Sequence, residues 1–296
     1  MKALMCVPNI SEGKDLSVVE KVVEIIRSSP GVTLLDYSSD VDHNRSVISY
    51  IGEPDAVVAA TQDLVKTAID LIDMSKQKGS HPRQGSVDVV PFIPISGITE
   101  SESVAIAHGF GRFVGQLGVP VYFYEDAARH PDRKSLVKVR KGEYEALAEK
   151  ILKPEWVPDE GPAKFIPKTG SIQISSRFPL VALNINLGTA NLEIAQTIAK
   201  SVRHINGGFR FVRAIGLSLK KEGLTQVSMN LTHYQKTPIP MVMEAVKREA
   251  AKYGVNVVGS ELVGPVPLEA MGQVLRYYLQ AHEFSMDQII ENALIR

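Results

Sequence analysis

A single cysteine, Cys6, stands in 296 residues. It cannot close an internal disulfide, and no cysteine cluster exists to hold a structural zinc, so the composition suits a reducing compartment. An excess of charge of one sign is also missing. The 33 basic and 33 acidic residues cancel, which argues against an extended nucleic-acid face or a polybasic membrane patch. No long hydrophobic run opens the chain. Lys2 and a few apolar residues precede Pro8 and Asn9, too few for a signal-peptide core or a bilayer span, so the cytoplasm is the expected location and neither membrane nor nucleic acid the expected partner. Four familiar signatures are lacking too: GxxxxGK[ST], GxGxxG after a strand, GxSxG and HExxH. ATP, NAD, serine and zinc mechanisms lose support with them, and no metal is expected.

What is present is an ordinary globular composition, 44% hydrophobic and 22% charged, over a length that favours two domains and a cleft. Ala3 to Val7 and Val32 to Leu35 read as strands around a helix carried by Val18, Val22, Ile25 and Ile26. A strand at Arg45 to Ile51, a long helix from Glu53 to Ile72, a strand at Val87 to Ile95, a helix through Ile106 to Leu117 and a strand at Val119 to Tyr124 follow. From Gly142 to Arg177 the period is lost among prolines and glycines, which predicts a long functional linker. Beyond it lie a strand at Leu180 to Leu187, a helix around Ile194 to Val202, strands at Phe211 to Leu219 and Thr225 to Thr232, a helix around Val242 to Tyr253 and a strand at Val255 to Glu261. That βαββαβ order is the ferredoxin-like pattern, and the first half is an enlarged version of it. The expected fold is thus α/β (α+β): two ferredoxin-like subdomains, residues 1–178 and 179–296, each a mixed sheet with helices packed on it, enclosing a ligand cleft.

Polar residues that carry chemistry gather where strands end. Gly79-Ser80-His81-Pro82-Arg83-Gln84-Gly85 places an imidazole on a loop between glycines, and an imidazole with a reference pKa of about 6.5 both takes and returns a proton near neutrality. An exposed loop histidine without a role fits the same residues. Asp36 to Ser46 carries Asp40, Asp42, His43, Asn44 and Arg45; a carboxylate suits a cationic amidine, and Arg45 suits a substrate carboxylate. His43 competes with His81 for the proton-transfer role, and a plain solvated loop is the alternative to both. Asn9 ends the first strand, while Asn184 and Asn186 lie two apart on one face of a strand. Ligand binding and internal hydrogen bonding fit these amides equally. His108, His130, His204, His233 and His282 show no metal-ligand spacing and read as structural or surface.

Cys6-Val7-Pro8-Asn9-Ile10-Ser11-Glu12-Gly13, Leu34-Leu35-Asp36, Asn44-Arg45-Ser46-Val47, Leu71-Ile72-Asp73-Met74, His81-Pro82-Arg83-Gln84-Gly85 with Asp88 to Pro94, Gly142-Glu143-Tyr144-Glu145, Asn184-Ile185-Asn186-Leu187 and Val258 to Gly264 together resemble the glutamate formiminotransferase family, in order and spacing across nearly the whole chain. The resemblance implies two subdomains enclosing a folate-binding tunnel and homodimerisation. It implies transfer of a formimino group from N-formimino-L-glutamate to N5 of tetrahydrofolate as co-substrate, in histidine-derived one-carbon metabolism. It also implies a catalytic histidine at His81, and a folate-contacting loop at Gly161-Pro162-Ala163-Lys164-Phe165-Ile166-Pro167-Lys168-Thr169-Gly170. Vertebrate members have an aspartate two residues after Leu-Leu-Asp where this chain has Ser38, so Asp40 or Asp42 is the carboxylate expected to assist His81. Asn9, Asn44, Arg45, Arg83, Asn184 and Asn186 are the expected substrate-binding residues, and a separate cyclodeaminase is an expected partner. N-formiminoglycine as donor, or a folate-binding protein without turnover, are the alternatives.

Overall fold

A computed structural model describes residues 2–219 and 223–294, in two compact units, Met1–Arg177 and Phe178–Arg296. In the first unit proline breaks the opening strand. Pro8 has no N–H to give a ladder, so β1 (Ala3–Cys6) and β2 (Asn9–Ile10) flank it and run on together between β4 (Arg45–Gly52) and β5 (Val87–Ser96). Helix α1 (Leu16–Ser28) starts where the Asp15 carboxylate accepts the Ser17 N–H, and buries Val19, Val22, Val23 and Ile26. It leads to β3 (Val32–Asp40), the edge strand beside β4. Helices α2 (Pro54–Leu71) and α3 (Glu100–Gln116), the latter opened by a Thr99–Glu102 capping box, pack on the same face as α1. The order β3-β4-(β1, β2)-β5 is that of a ferredoxin-like sheet.

Two further strands enlarge it. β6 (Val121–Glu125) lies at the far edge, and β7 (Ile172–Ser176) runs parallel to both β5 and β6 between them. Residues expected to belong wholly to a linker therefore supply an interior strand. The reason it escapes notice is its polarity: Gln173, Ser175 and Ser176 are all buried although their residue types favour the surface. Alternation then sorts the side chains. Val121, Phe123, Ile172 and Ile174 join the helix-side core, whereas Tyr122 and Tyr124 join Val89 on the opposite face. Segment 126–170, with short helices α4 (Leu136–Val139) and α5 (Leu147–Lys150), covers that second face through Val139, Leu147, Leu136, Trp156 and Phe165.

The second unit runs β8 (Val181–Leu187), α6 (Leu192–Val202), β9 (Val212–Leu219), β10 (Leu224–Leu231), α7 (Ile239–Ala251), β11 (Val257–Val263) and α8 (Leu268–Tyr278), the last an element that the sequence pattern did not reveal. Its sheet order is β11-β8-β10-β9. Among the described residues every strand pairing in this sheet is antiparallel, so mixed strand pairing is found in the first sheet. The physical reason is the split crossover: β8 and β9, joined through α6, share a direction but are separated by β10. Among the described residues no helix is long and apolar enough to cross a membrane.

Candidate active site

The loop carrying His81 leaves α2 and is pinned against the turn after β3. Ser80 donates its backbone N–H, at 3.2 Å, to the Asp42 carbonyl. Gly79 is required at this approach, because a Cβ there would sit 2.1 Å from the His43 carbonyl oxygen. The turn itself is held by buried Asn44, whose φ of 48° is left-handed. Its Oδ1 accepts the Gly13 N–H at 3.0 Å, while its amide donates to Gln77 Oε1 and the Lys78 carbonyl. Buried Glu12 ties the same loops: one oxygen accepts from the N–H groups of Gly13, Lys14 and Asp15, and the other from Gln77 at 2.7 Å. Three chain segments are thus locked around His81 before any ligand is considered.

His81 is half-buried, and its two nitrogens meet different partners. Nδ1 lies 2.7 Å from the Pro82 carbonyl and Nε2 lies 3.1 Å from Nη1 of Arg45. A carbonyl only accepts and a guanidinium only donates, so Nδ1 carries the hydrogen and Nε2 presents a lone pair. Burial first, then the positive charges of Arg45 and Arg140, push the His81 pKa down to about 4. Arg45 is itself pushed down to about 10 by burial, with Asp88 opposing the shift. Its Nη2 donates to Oδ1 of buried Asn9, and its Nε has no partner among the described residues. Asp88, fully buried and raised by that burial, pairs with Arg140 and accepts the Gln84 backbone N–H at 2.9 Å. Gln84 is fully buried, and neither side-chain amide atom is bonded among the described residues.

Of the residues singled out from sequence, the structure brings together His81, Arg45 and Asn9. Asp40 is turned elsewhere: its carboxylate accepts the His43 backbone N–H at 2.8 Å and lies 2.7 Å from His43 Nδ1, so it reaches His81 only through the His43 ring. Asn44 is engaged in the loop contacts above. Arg83, also buried, donates to Glu145 at 2.8 Å and to the Gln77 carbonyl, with Glu143 at 3.6 Å. Loop 161–170 abuts the His81 loop, since Ser86 donates to the Thr169 carbonyl at 2.9 Å and Gly85 bridges Gly170. Asn184 and Asn186 are in the second unit, where Asn184 donates to Glu261 at 3.1 Å and Asn186 accepts from Gln226 at 2.9 Å. Arg140, Asp88 and Gln84 escaped the reading of roles from sequence. Asp88 and Gln84 stand inside the quoted motifs, but Arg140 carries no local signal.

Two family patterns match the chain: formiminotransferase domain, N-terminal subdomain, over residues 3–177, and formiminotransferase domain over residues 182–296. A glutamate formimidoyltransferase of Streptococcus pyogenes serotype M1 is 45% identical over 296 residues, with 99% of each chain covered. One from Thermoplasma acidophilum is 42% identical, covering 99% of this chain and 98% of that one. Formimidoyltransferase-cyclodeaminase of Gallus gallus is 43% identical over 94% of this chain, which spans 53% of that longer relative.

Proposed function

The chain belongs to the formiminotransferase family, and from that premise we infer that it moves the formimino group from N-formimino-L-glutamate to N5 of tetrahydrofolate, releasing L-glutamate. The observation in the site that carries this reading is the neutral His81 ring with its Nε2 lone pair set against Arg45. N5 attacks the amidine carbon and must shed a proton, and Nε2 is the nitrogen able to accept it. Positioned proton transfer of this kind is worth roughly 10²–10⁴ in rate; holding two substrates together supplies much of the rest.

Arg45 and Asn9 form the carboxylate-binding side of the site, supported by their contact with each other and by the unpartnered Arg45 Nε. Arg83 binds a substrate carboxylate in exchange for Glu145, and Asn44 acts by shaping the loop. Loop 161–170 takes the folate, supported by its junction with Gly85 and by exposed Lys164 and Lys168, whose charge attracts a glutamate tail. Asn184 and Asn186 remain proposed substrate contacts of the second unit. A cytoplasmic homodimer acting with a separate cyclodeaminase completes the proposal; the fused avian relative supports the last point.

The test is the appearance of 5,10-methenyltetrahydrofolate by absorbance after acid treatment, with N-formimino-L-glutamate as donor. Wild-type turnover that falls at least about a hundredfold in His81→Ala is the expected result. Folate binding without donor consumption would overturn it.

A further inference from the structure

Beside His81 lies a second imidazole that the reaction as described leaves unused. Asp40 grips His43 twice, at the backbone N–H (2.8 Å) and at ring Nδ1 (2.7 Å). The Asp40 carboxyl is held below its usual range, first by that backbone hydrogen bond, so it accepts and Nδ1 of His43 carries the hydrogen. Nε2 is then the ring position open to proton exchange. The His43 ring stands edge-on to His81, with centroids 5.8 Å apart and planes at 89°. The two rings sit in opposite fields: His81 faces the Arg45 guanidinium, whereas His43 faces a carboxylate. A proton arriving on His81 Nε2 would point at another donor; a proton on His43 has its counter-charge in place.

The reaction asks for two proton transfers of opposite sense. Resting on formimino transfer as read above, we propose that His43, oriented by Asp40, is the general acid that protonates the departing amine, while His81 accepts the proton from N5. N5 attacks the amidinium carbon, the N5–C bond forms, and the C=N π pair moves onto nitrogen. The N5 proton goes to His81 Nε2. The bond from that carbon to the glutamate nitrogen then breaks, its electron pair leaves on that nitrogen, and the nitrogen takes the proton of His43 Nε2 as the C=N bond re-forms from the other nitrogen. One proton is lost and one gained, so passage of a proton from His81 to its neighbour His43 resets both rings. The guanidinium beside one ring and the carboxylate beside the other divide the roles of base and acid between them.

A thiol, with a reference pKa of about 8.5, leaves as its anion without prior protonation, which makes the roles separable. Turnover is measured for wild type, His43→Gln, Asp40→Asn and His81→Gln with two donors: N-formimino-L-glutamate, and an S-formimino thiol carboxylate (a thioimidate) that wild type turns over. With the glutamate donor His43→Gln is expected to lose about a hundredfold or more, and Asp40→Asn a smaller factor. With the thioimidate donor both are expected to return to within about threefold of wild type, whereas His81→Gln stays defective with either. Equal losses of His43→Gln with the two donors, or no loss with the glutamate donor, would overturn the acid role. Wild type inactive with both donors would instead overturn formimino transfer itself.

Discussion

Replacing Arg45 by methionine keeps much of the side chain's bulk and removes the charge that faces His81 Nε2. The His81 pKa, now about 4, is expected to rise toward the ordinary imidazole value of about 6.5, and the acid limb of kcat/KM with it. Titration of the ring protons by NMR measures the first and a pH profile the second; an unmoved pKa would show that Arg45 does not set it. The same shift enters stability. Because the folded pKa lies below the unfolded one, the unfolded chain binds more protons between about pH 6.5 and 4. Stability contributed by neutral His81 is therefore present above that window and lost as pH falls through it. Urea midpoints across this range are expected to fall less steeply in His81→Gln than in wild type.

Loop junctions decide where His81 sits, so element-scale substitutions test them. Gly170 has a φ of 65°, and a Cβ there would lie 2.0 Å from the Gln84 carbonyl oxygen. Gly170→Ala is expected to cost more than about 1 kcal/mol and to lower kcat by pushing the 79–86 loop away from Arg45. A urea titration and a turnover assay read the two effects. Segment 126–170 is anchored by the buried pair Arg133–Asp159 at 2.8 Å, with Asp159 also accepting the Phe123 N–H of β6. Asp159→Ala leaves Arg133 as an uncompensated buried charge and is expected to destabilise by about 3–5 kcal/mol in urea unfolding. A change below about 1 kcal/mol would show that the segment is held by its apolar contacts with Tyr122, Tyr124 and Val89 alone.

At the scale of the whole molecule, a ligand that binds only the folded chain must stabilise it. Tetrahydrofolate at about 100 times its Kd is expected to contribute about 2.7 kcal/mol, seen as a rise in melting temperature, while an unchanged melt would contradict folate binding. Homodimerisation predicts a particle of twice the 32.4 kDa chain mass in sedimentation equilibrium. Much of the architecture is legible without coordinates, because apolar periods of 3.6 and 2 are local properties: Val22 and Ile26 mark α1, and Ile48 and Tyr50 mark the buried face of β4. The His81 loop is legible because Gly79, Pro82 and Gly85 punctuate it, although the steric needs those glycines answer come from distant His43 and Ser171. The sequence by itself thus determined the ferredoxin-like order of both halves and the residue types at the site. Only the tertiary structure decided which partner each polar group takes. Arg83 binds Glu145 across 62 residues, and Arg140 reaches Asp88 across 52. It also decided that β7, polar in composition, is an interior strand. Pairings of this kind depend on which distant segments are brought within hydrogen-bond reach, and no local pattern encodes that distance.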